Sequence, residues 1–428
     1  MSAERGKPED RRAGRTSMAS LRSLRAGPLE GIRVLDLSRI LAGPFAAMLL
    51  GDLGADVIKV EIPGVGDDTR EWGPPYLNGA SSGESAYFAC CNRNKRSVTV
   101  NMKDARGLAF IRQLAKQSDV VIENYRVGAL DAMGLGYRDL SALNPNLIYA
   151  SISGFGPDGP DADRGGYAVM VEGEGGLMSL TGPIGGAPVK CGVALTDLTT
   201  GMFTQSAVLA ALFARTRLPA GTAGGQHIDL SLLETQVALL GNIASNYLNA
   251  GVEGRRWGTA HPSIVPYQLF PTADGHLLVG AGNDRQFRQL CKDILGAPHL
   301  AADERFAKNA DRVRHRDELL ATIGDIFIAR NTDEWIAALR PTGLPYAPVN
   351  NMERVFSHPQ VLHRNMVLEM PHPTAGKVRM TGFPYKFSET PATLRRAPPL
   401  LGQHTDEVLK ECGYTDEQIS SMRADKVV

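Results

Sequence analysis

Residues 31–155 alternate short apolar runs with helical stretches, and no other feature limits the fold as much. "GIRVLDLSRI" (31–40) carries Ile32, Val34, Leu35 and Leu37 in one short run, the pattern of a buried strand. "LAGPFAAMLLGDLGA" (41–55) reads as a loop, then a helix with Pro44 at its start and Gly54 closing it. "DVIKVEIP" (56–63) is a second strand, stopped by Pro63. The pattern repeats with a strand at 97–102, a helix at 107–118 and a strand at 119–125. A helix ending in 140–146 and a strand at 147–155 follow. Strands that alternate with helices predict an α/β fold: a Rossmann-like, mostly parallel sheet covered on both faces.

A chain of 428 residues exceeds what one core holds, so more than one domain is expected. The large α/β domain is assigned to 28–255, and residues 200–250 within it read as helical. After 255 the texture changes to a strand at 275–282, a helix at 284–295 and two helices within 316–340. This predicts a smaller α+β domain over 256–345 and a C-terminal segment over 346–428. Residues 1–27 differ again: "RRAGRTSMASLRSLRAG" (11–27) is rich in Arg, Ser and Ala and contains no acid. That is the composition of a mitochondrial transit peptide or of a disordered tail.

Composition removes several classes of function. Lys plus Arg equals Asp plus Glu at 46 each, which argues against a dedicated nucleic-acid binder. No apolar run approaches the ~20 residues of a membrane helix. The five Cys lack CxxC spacing and the nine His lack HExxH-type pairing. No disulfide framework, metal site or permanently bound cofactor is therefore expected, and a reducing compartment fits. The G-x-G-x-x-G fingerprint is missing after the first strand, where "SRILAGP" stands, so a nicotinamide site is not expected.

"KCGVALTDLTTGMF" (190–203) sets one acid, Asp197, among small and apolar residues. Lone carboxylates seldom occupy such company unless they are paired or used. Two readings stand: Thr196 or Asp197 caps a helix starting near Leu198, or Asp197 is a nucleophile. "NRNKRS" (92–97) has two readings as well, a phosphate-binding loop or a solvated turn.

"PLEGIRVLDLSRILAGPFAAMLLGDLGADVIKVEIPGVGDDTR", "NRNKRSVTVNMK", "VIENYRVGALDAMGLGY", "NPNLIYASISGFGPDGP" and "LLGQHT" occur in this order. Together they resemble the class III CoA-transferases from about Pro28 to the C-terminus. The resemblance implies that Asp197 is the catalytic aspartate, acylated first and then carrying CoA as a thioester. It implies that Leu41 and Ala42 line the CoA path and that Val100, Asn101, Met102 and Lys103 hold the nucleotide end. Asn124, Tyr125 and Arg126 would meet the pantetheine and phosphates, and Gly165 and Gly166, beside Tyr167, the thiol arm. It also implies a homodimer of interlocked rings, with the C-terminal segment returning to the large domain.

"RRWGTAHPSIVPYQ" (255–268) and "VGAGND" (279–284) look most like the branch that moves CoA from succinyl-CoA to a dicarboxylic acid of the glutarate or hydroxymethylglutarate type. Arg256 is the candidate for the distal carboxylate, with His261 beside it. Ile62 stands where the formyl/oxalate branch has Arg, and that branch's Gly-rich loop has no counterpart here. Two alternatives remain: an α-methylacyl-CoA racemase of the same family and a non-catalytic CoA-binding protein. Tyr167 occupies the place of the racemase His, and an unperturbed phenol is a poor base at neutral pH. The location implied is the mitochondrial matrix in a eukaryote and the cytoplasm otherwise.

Overall fold

The apolar runs near the N-terminus become the strands of one sheet. The computed structural model describes residues 27–79, 83–219 and 221–428. The expected tail, 1–27, lies outside them except for Gly27. The chain begins β1 (Arg33–Asp36), α1 (Ala42–Asp52), β2 (Asp56–Glu61), α2 (Ala86–Cys90), β3 (Lys95–Thr99) and α3 (Ala105–Lys116). β4 (Val120–Glu123), α4 (Tyr137–Leu143), β5 (Ile148–Ser153), α5 (Ala168–Glu174), α6 (Leu177–Leu180) and α7 (Leu195–Arg215) follow. Then come β6 (Gln226–Ser231), α8 (Leu232–Leu239), α9 (Gly241–Ala250), β7 (Tyr267–Pro271), β8 (His276–Gly280) and β9 (Tyr346–Pro348).

The six-stranded sheet has the order β3-β2-β1-β4-β5-β6. Strands β3 to β5 are parallel, with Val34 opposite both Val57 and Val120. Strand order reverses between β1 and β4. In open sheets of this kind ligands bind outside the carboxyl ends of the strands at that reversal. Helix α3 shows how sequence becomes packing. Asp104 caps it by accepting the Arg106 N–H at 2.8 Å, and Phe110, Ile111, Leu114 and Ala115 are buried along one face. That face joins Leu35, Ile58, Val98 and Val121 of the sheet in one core.

The chain divides into two compact units. The first contains the residues up to Asp163, Leu198–Leu230 and Leu368–Val428. The second contains Arg164–Asp197 and Ser231–Val367. This division differs from domains cut at 28–255, 256–345 and 346–428. Segments 164–197 and 231–255 go with the second unit because α5 packs on α6 and α8. In that unit the antiparallel sheet β7-β8-β9 supplies Phe270, Leu277 and Val279 to a core with Phe327 and Trp335.

Three local expectations are corrected. Residues 200–250 are not all helical, because "QHIDLS" forms β6 at the sheet edge. Helix α7 begins at Leu195, so neither Thr196 nor Asp197 is its cap. The basic run 92–97 is neither a solvated turn nor open for phosphate. Arg93 pairs with Asp52 at 2.7 Å, Lys95 with Asp36 at 2.8 Å, and Arg96 with Asp56 at 2.6 Å and Glu411 at 2.7 Å. All three cations are buried, so partners far along the chain absorb their charge.

Candidate active site

In the first unit, the β1–α1 loop is held at the strand reversal. Asn124 Oδ1 accepts the Arg39 N–H at 2.8 Å, and Asn124 Nδ2 donates to the Arg39 carbonyl at 2.7 Å. Ile40 has φ 71°, a left-handed conformation that strains a β-branched residue. The Asp67 carboxylate accepts its N–H at 3.2 Å. Asp67 is itself paired with Lys59 at 2.9 Å, both without solvent exposure. Burial alone would raise the Asp67 carboxyl, but the Lys59 ammonium and the Thr69 donors hold it down to about 2. Lys59 also donates to the Ser38 carbonyl at 2.9 Å. A buried ion network thus fixes the loop that presents Leu41 and Ala42.

A narrow cleft beside this loop is lined by Arg39, Lys59, Ile62, Val100, Met102 and Tyr125, among others. Of the expected nucleotide-end residues, Val100 and Met102 face this cleft. The Tyr125 hydroxyl reaches Met102 Sδ at 3.5 Å, and the Arg39 guanidinium lies 5.6 Å from the centre of the Tyr125 ring. The Asn101 N–H donates to the Val427 carbonyl at 2.7 Å, and Lys103 is exposed. Arg126 lines a neighbouring cavity of about 400 Å³ with Glu123, Tyr137, Ser151 and His227. Burial pushes the Glu123 carboxyl up to about 7, and its Oε2 accepts the Tyr125 N–H at 2.8 Å. Gly201 of α7 fits where a Cβ would come 2.8 Å from the Ala42 carbonyl oxygen.

In the second unit Asp197 lies in the first turn of α7, at the positive end of the helix dipole. It is half-buried and has no ion-pair partner among the described residues. Burial, and then the negative charge of Glu172, push its carboxyl up to about 6. Glu172 on α5 is buried, and its Oε2 accepts the Cys191 N–H at 3.0 Å. Gln236 on α8 is also buried, and its Oε1 accepts the Thr196 hydroxyl at 2.7 Å. A half-buried carboxylate that is more basic than usual yet mostly ionised at neutral pH, with no cation beside it among the described residues, is suited to nucleophilic attack.

The other expected residues of this unit have varied settings. Gly165 is exposed and Gly166 half-buried, and Tyr167, just before α5, is 68% exposed. Arg256 Nη1 donates to the Ser179 carbonyl at 3.3 Å, while its Nε is buried without a hydrogen-bond partner among the described residues. Arg255 and Arg316 stack on Trp257, at 4.3 and 4.7 Å from its centroid. His261 braces its own loop, since its Nδ1 accepts the Ser263 N–H at 3.0 Å. Sequence reasoning missed Glu172 and Gln236. Glu172 carried the signal that flagged Asp197, an acid among small and apolar residues in "AVMVEGEGGLM".

The family described as CoA-transferase family III matches residues 29–405. The chain belongs to this family. It is a CoA-transferase, and CoA is its cosubstrate. Succinyl-CoA:glutarate CoA-transferase of Homo sapiens is 48% identical over 402 residues, covering 94% of this chain and 90% of that protein. Succinate–glutarate CoA-transferase of Agrobacterium fabrum is 44% identical, covering 90% and 96%. The crystal structure of a CAIB/BAIF family protein from Brucella suis is 42% identical with a TM-score of 0.83, covering 91% of this chain and all of that one. Among the described residues no helix is long and apolar enough to cross a membrane.

Proposed function

We propose that this CoA-transferase moves CoA from succinyl-CoA to glutarate or a close six-carbon diacid. The observation that carries the reading is Asp197, a carboxylate raised to about 6 with no cation beside it among the described residues, in a chain 48% identical to a succinyl-CoA:glutarate CoA-transferase. An Asp197 oxygen attacks the donor thioester, giving an aspartyl–acyl anhydride and CoA thiolate. The thiolate attacks the aspartyl carbonyl, giving aspartyl-CoA and the free donor acid. The acceptor acid then runs both steps in reverse. One thioester replaces another, so no nucleotide triphosphate is consumed, and two easier steps replace one hard transfer.

In this reading the cleft with Val100, Met102 and Tyr125 takes the nucleotide end of CoA, beside Leu41, Ala42, Asn101 and Lys103. Asn124 positions the wall, and Arg126 serves the phosphates. Gly165, Gly166 and Tyr167 serve the thiol arm, and Arg256 the distal carboxylate of the diacid. The working unit is a homodimer. Tyr167, Met170, Ile184, Phe213 and Leu248 are large apolar side chains more than 60% exposed on the single chain, and a second copy would cover them. Residues 11–27 fit delivery to the mitochondrial matrix in a eukaryotic cell, with a cytoplasmic location otherwise.

The test is a matrix of acyl-CoA donors against free acids, read by mass spectrometry. Succinyl-CoA with glutarate should lead it, and a preference for monocarboxylates would remove the diacid assignment. Hydroxylamine added during turnover should convert Asp197 to a hydroxamate, and Asp197→Ala should abolish transfer while still binding CoA. Light scattering should give a dimer that persists on dilution to nanomolar concentration.

A further inference from the structure

The two amide atoms of Gln236 have different fates. Oε1 accepts the Thr196 hydroxyl at 2.7 Å, whereas Nε2 is buried and has no hydrogen-bond partner among the described residues. A buried donor left unpaired opposes folding, and such groups are rare in native proteins. The side chain is confined where it lies: a Cβ on Gly175 would come 2.5 Å from Gln236 Cγ and 3.0 Å from its Cβ. The amide is therefore wedged between α5, α8 and the first turn of α7, beside the residue that precedes Asp197. Glu172 belongs to the same helix, α5, and its negative charge acts on Asp197. When the Asp197 carboxylate attacks, its negative charge moves onto the acyl oxygen, and a donor there would offset the repulsion from Glu172.

We propose that Gln236 is a catalytic residue whose Nε2–H binds the acyl carbonyl oxygen while Asp197 reacts. This rests on Asp197 being the covalent nucleophile. An Asp197 oxygen bonds to the thioester carbon, and the carbonyl π pair moves onto its oxygen, where Nε2–H meets it. When that pair returns, the C–S bond breaks and CoA leaves as thiolate with the bonding electrons. No proton moves in either direction. A neutral amide suits this step because it binds an oxyanion without protonating it, whereas an acid near Glu172 would add repulsion. When the thiolate then attacks the aspartyl carbonyl of the anhydride, the π pair moves onto the Asp197 carbonyl oxygen, and as it returns the C–O bond to the donor acyl group breaks and the donor carboxylate leaves.

The experiment measures CoA release in a single turnover, the steady-state kcat and the Kd for CoA in three variants of the full chain. Gln236→Met keeps the volume and removes both polar atoms. Gln236→Glu keeps an acceptor for Thr196 and removes the N–H. Thr196→Val removes the hydroxyl and leaves Nε2. Both Gln236 variants should lose about a hundred- to a thousandfold in kcat and in thiolate release, the usual effect of deleting an oxyanion donor. Their Kd for CoA should stay that of the wild type, and Thr196→Val should lose less than about tenfold. Equal losses in Thr196→Val and Gln236→Met would mean that Gln236 only holds Thr196, and the proposal falls. Near-native rates in Gln236→Glu would overturn it too, since that variant lacks the donor. Asp197→Ala, run in parallel, tests the covalent reading separately: transfer surviving there refutes the nucleophile whatever Gln236 does.

Discussion

Asn124 closes a two-point hydrogen-bonded ring on the backbone of Arg39, accepting its N–H at 2.8 Å and donating to its carbonyl at 2.7 Å. The two residues follow β4 and β1, the neighbouring strands at which the sheet reverses its order. The ring ties the ends of two strands distant in sequence into one wall of the cleft. Asn124→Ala leaves two backbone groups without this partner and should destabilise the fold by about 1–3 kcal/mol. It should also weaken CoA binding, as read by calorimetric titration. A lowered Tm with unchanged CoA affinity would separate the ring from the ligand site.

The pH profile of transfer should report Asp197. Its carboxyl is raised to about 6 and the proposed mechanism uses it ionised, so kcat/KM should fall about tenfold per pH unit below that value. Glu172→Gln removes the repelling charge and should move this acid limb to lower pH. An unmoved limb would show that Glu172 has no electrostatic hold on Asp197.

Stability should run opposite to activity at the same residue. A carboxyl raised from 3.8 to about 6 in the fold favours the native state when protonated. That contribution is complete below pH 3.8 and disappears as pH rises through 6. Above pH 6 the ionised group works against folding, so Asp197→Asn should unfold at a higher temperature than the wild type while losing transfer. Calorimetry across the range checks both arms, and no gain in Tm at neutral pH would contradict it.

The buried pair Asp36–Lys95 should resist single replacement. Burial would raise the Asp36 carboxyl, but the charges of Lys95 and Lys59 overcome this and hold it below its ordinary value. Lys95→Met leaves Asp36 buried without this cation and should cost about 3–5 kcal/mol. Asp36→Leu combined with Lys95→Met should recover much of that loss, as measured by denaturant unfolding.

Arg256→Ala should discriminate between acids. A charge-assisted hydrogen bond to a carboxylate contributes roughly 1.5–3 kcal/mol, or about ten- to over a hundredfold in kcat/KM. The loss should fall on glutarate and largely spare butyrate. Equal losses on both acids would make Arg256 a structural anchor for the Ser179 carbonyl.

Strands β1, β2, β4 and β5 were legible as short apolar runs, whereas β3, expected at 97–102, begins earlier at Lys95 inside the basic run. Strand β6 was not, because Gln226, His227 and Asp229 lie at the sheet edge, where polar side chains are tolerated. The basic run at 92–97 misled for another reason. Its partners Asp36, Asp52 and Glu411 lie far away in sequence, and only the folded chain brings them within 3 Å. Asp197 stood out as a lone acid in an apolar stretch. Gln236 gave no such sign, since a glutamine within a leucine-rich helix reads as an ordinary polar face. Its meaning appears only once Gly175 and Thr196 are seen against it.

Lys59 and Lys95 have a chemical consequence beyond folding. Acyl-CoA thioesters acylate free amines, and an amine must lose its proton to attack. Burial opposes the charge of Lys59, but Asp67, Asp36 and Glu61 outweigh it and hold the amine protonated well above its ordinary range. Lys59 therefore borders the cleft beside the β1–α1 loop as an ammonium rather than a nucleophilic amine, and Lys95 is sealed from solvent altogether. Adducts left by stray reagent should gather on exposed amines such as Lys103 and Lys190, away from the ion pairs that hold the β1–α1 loop.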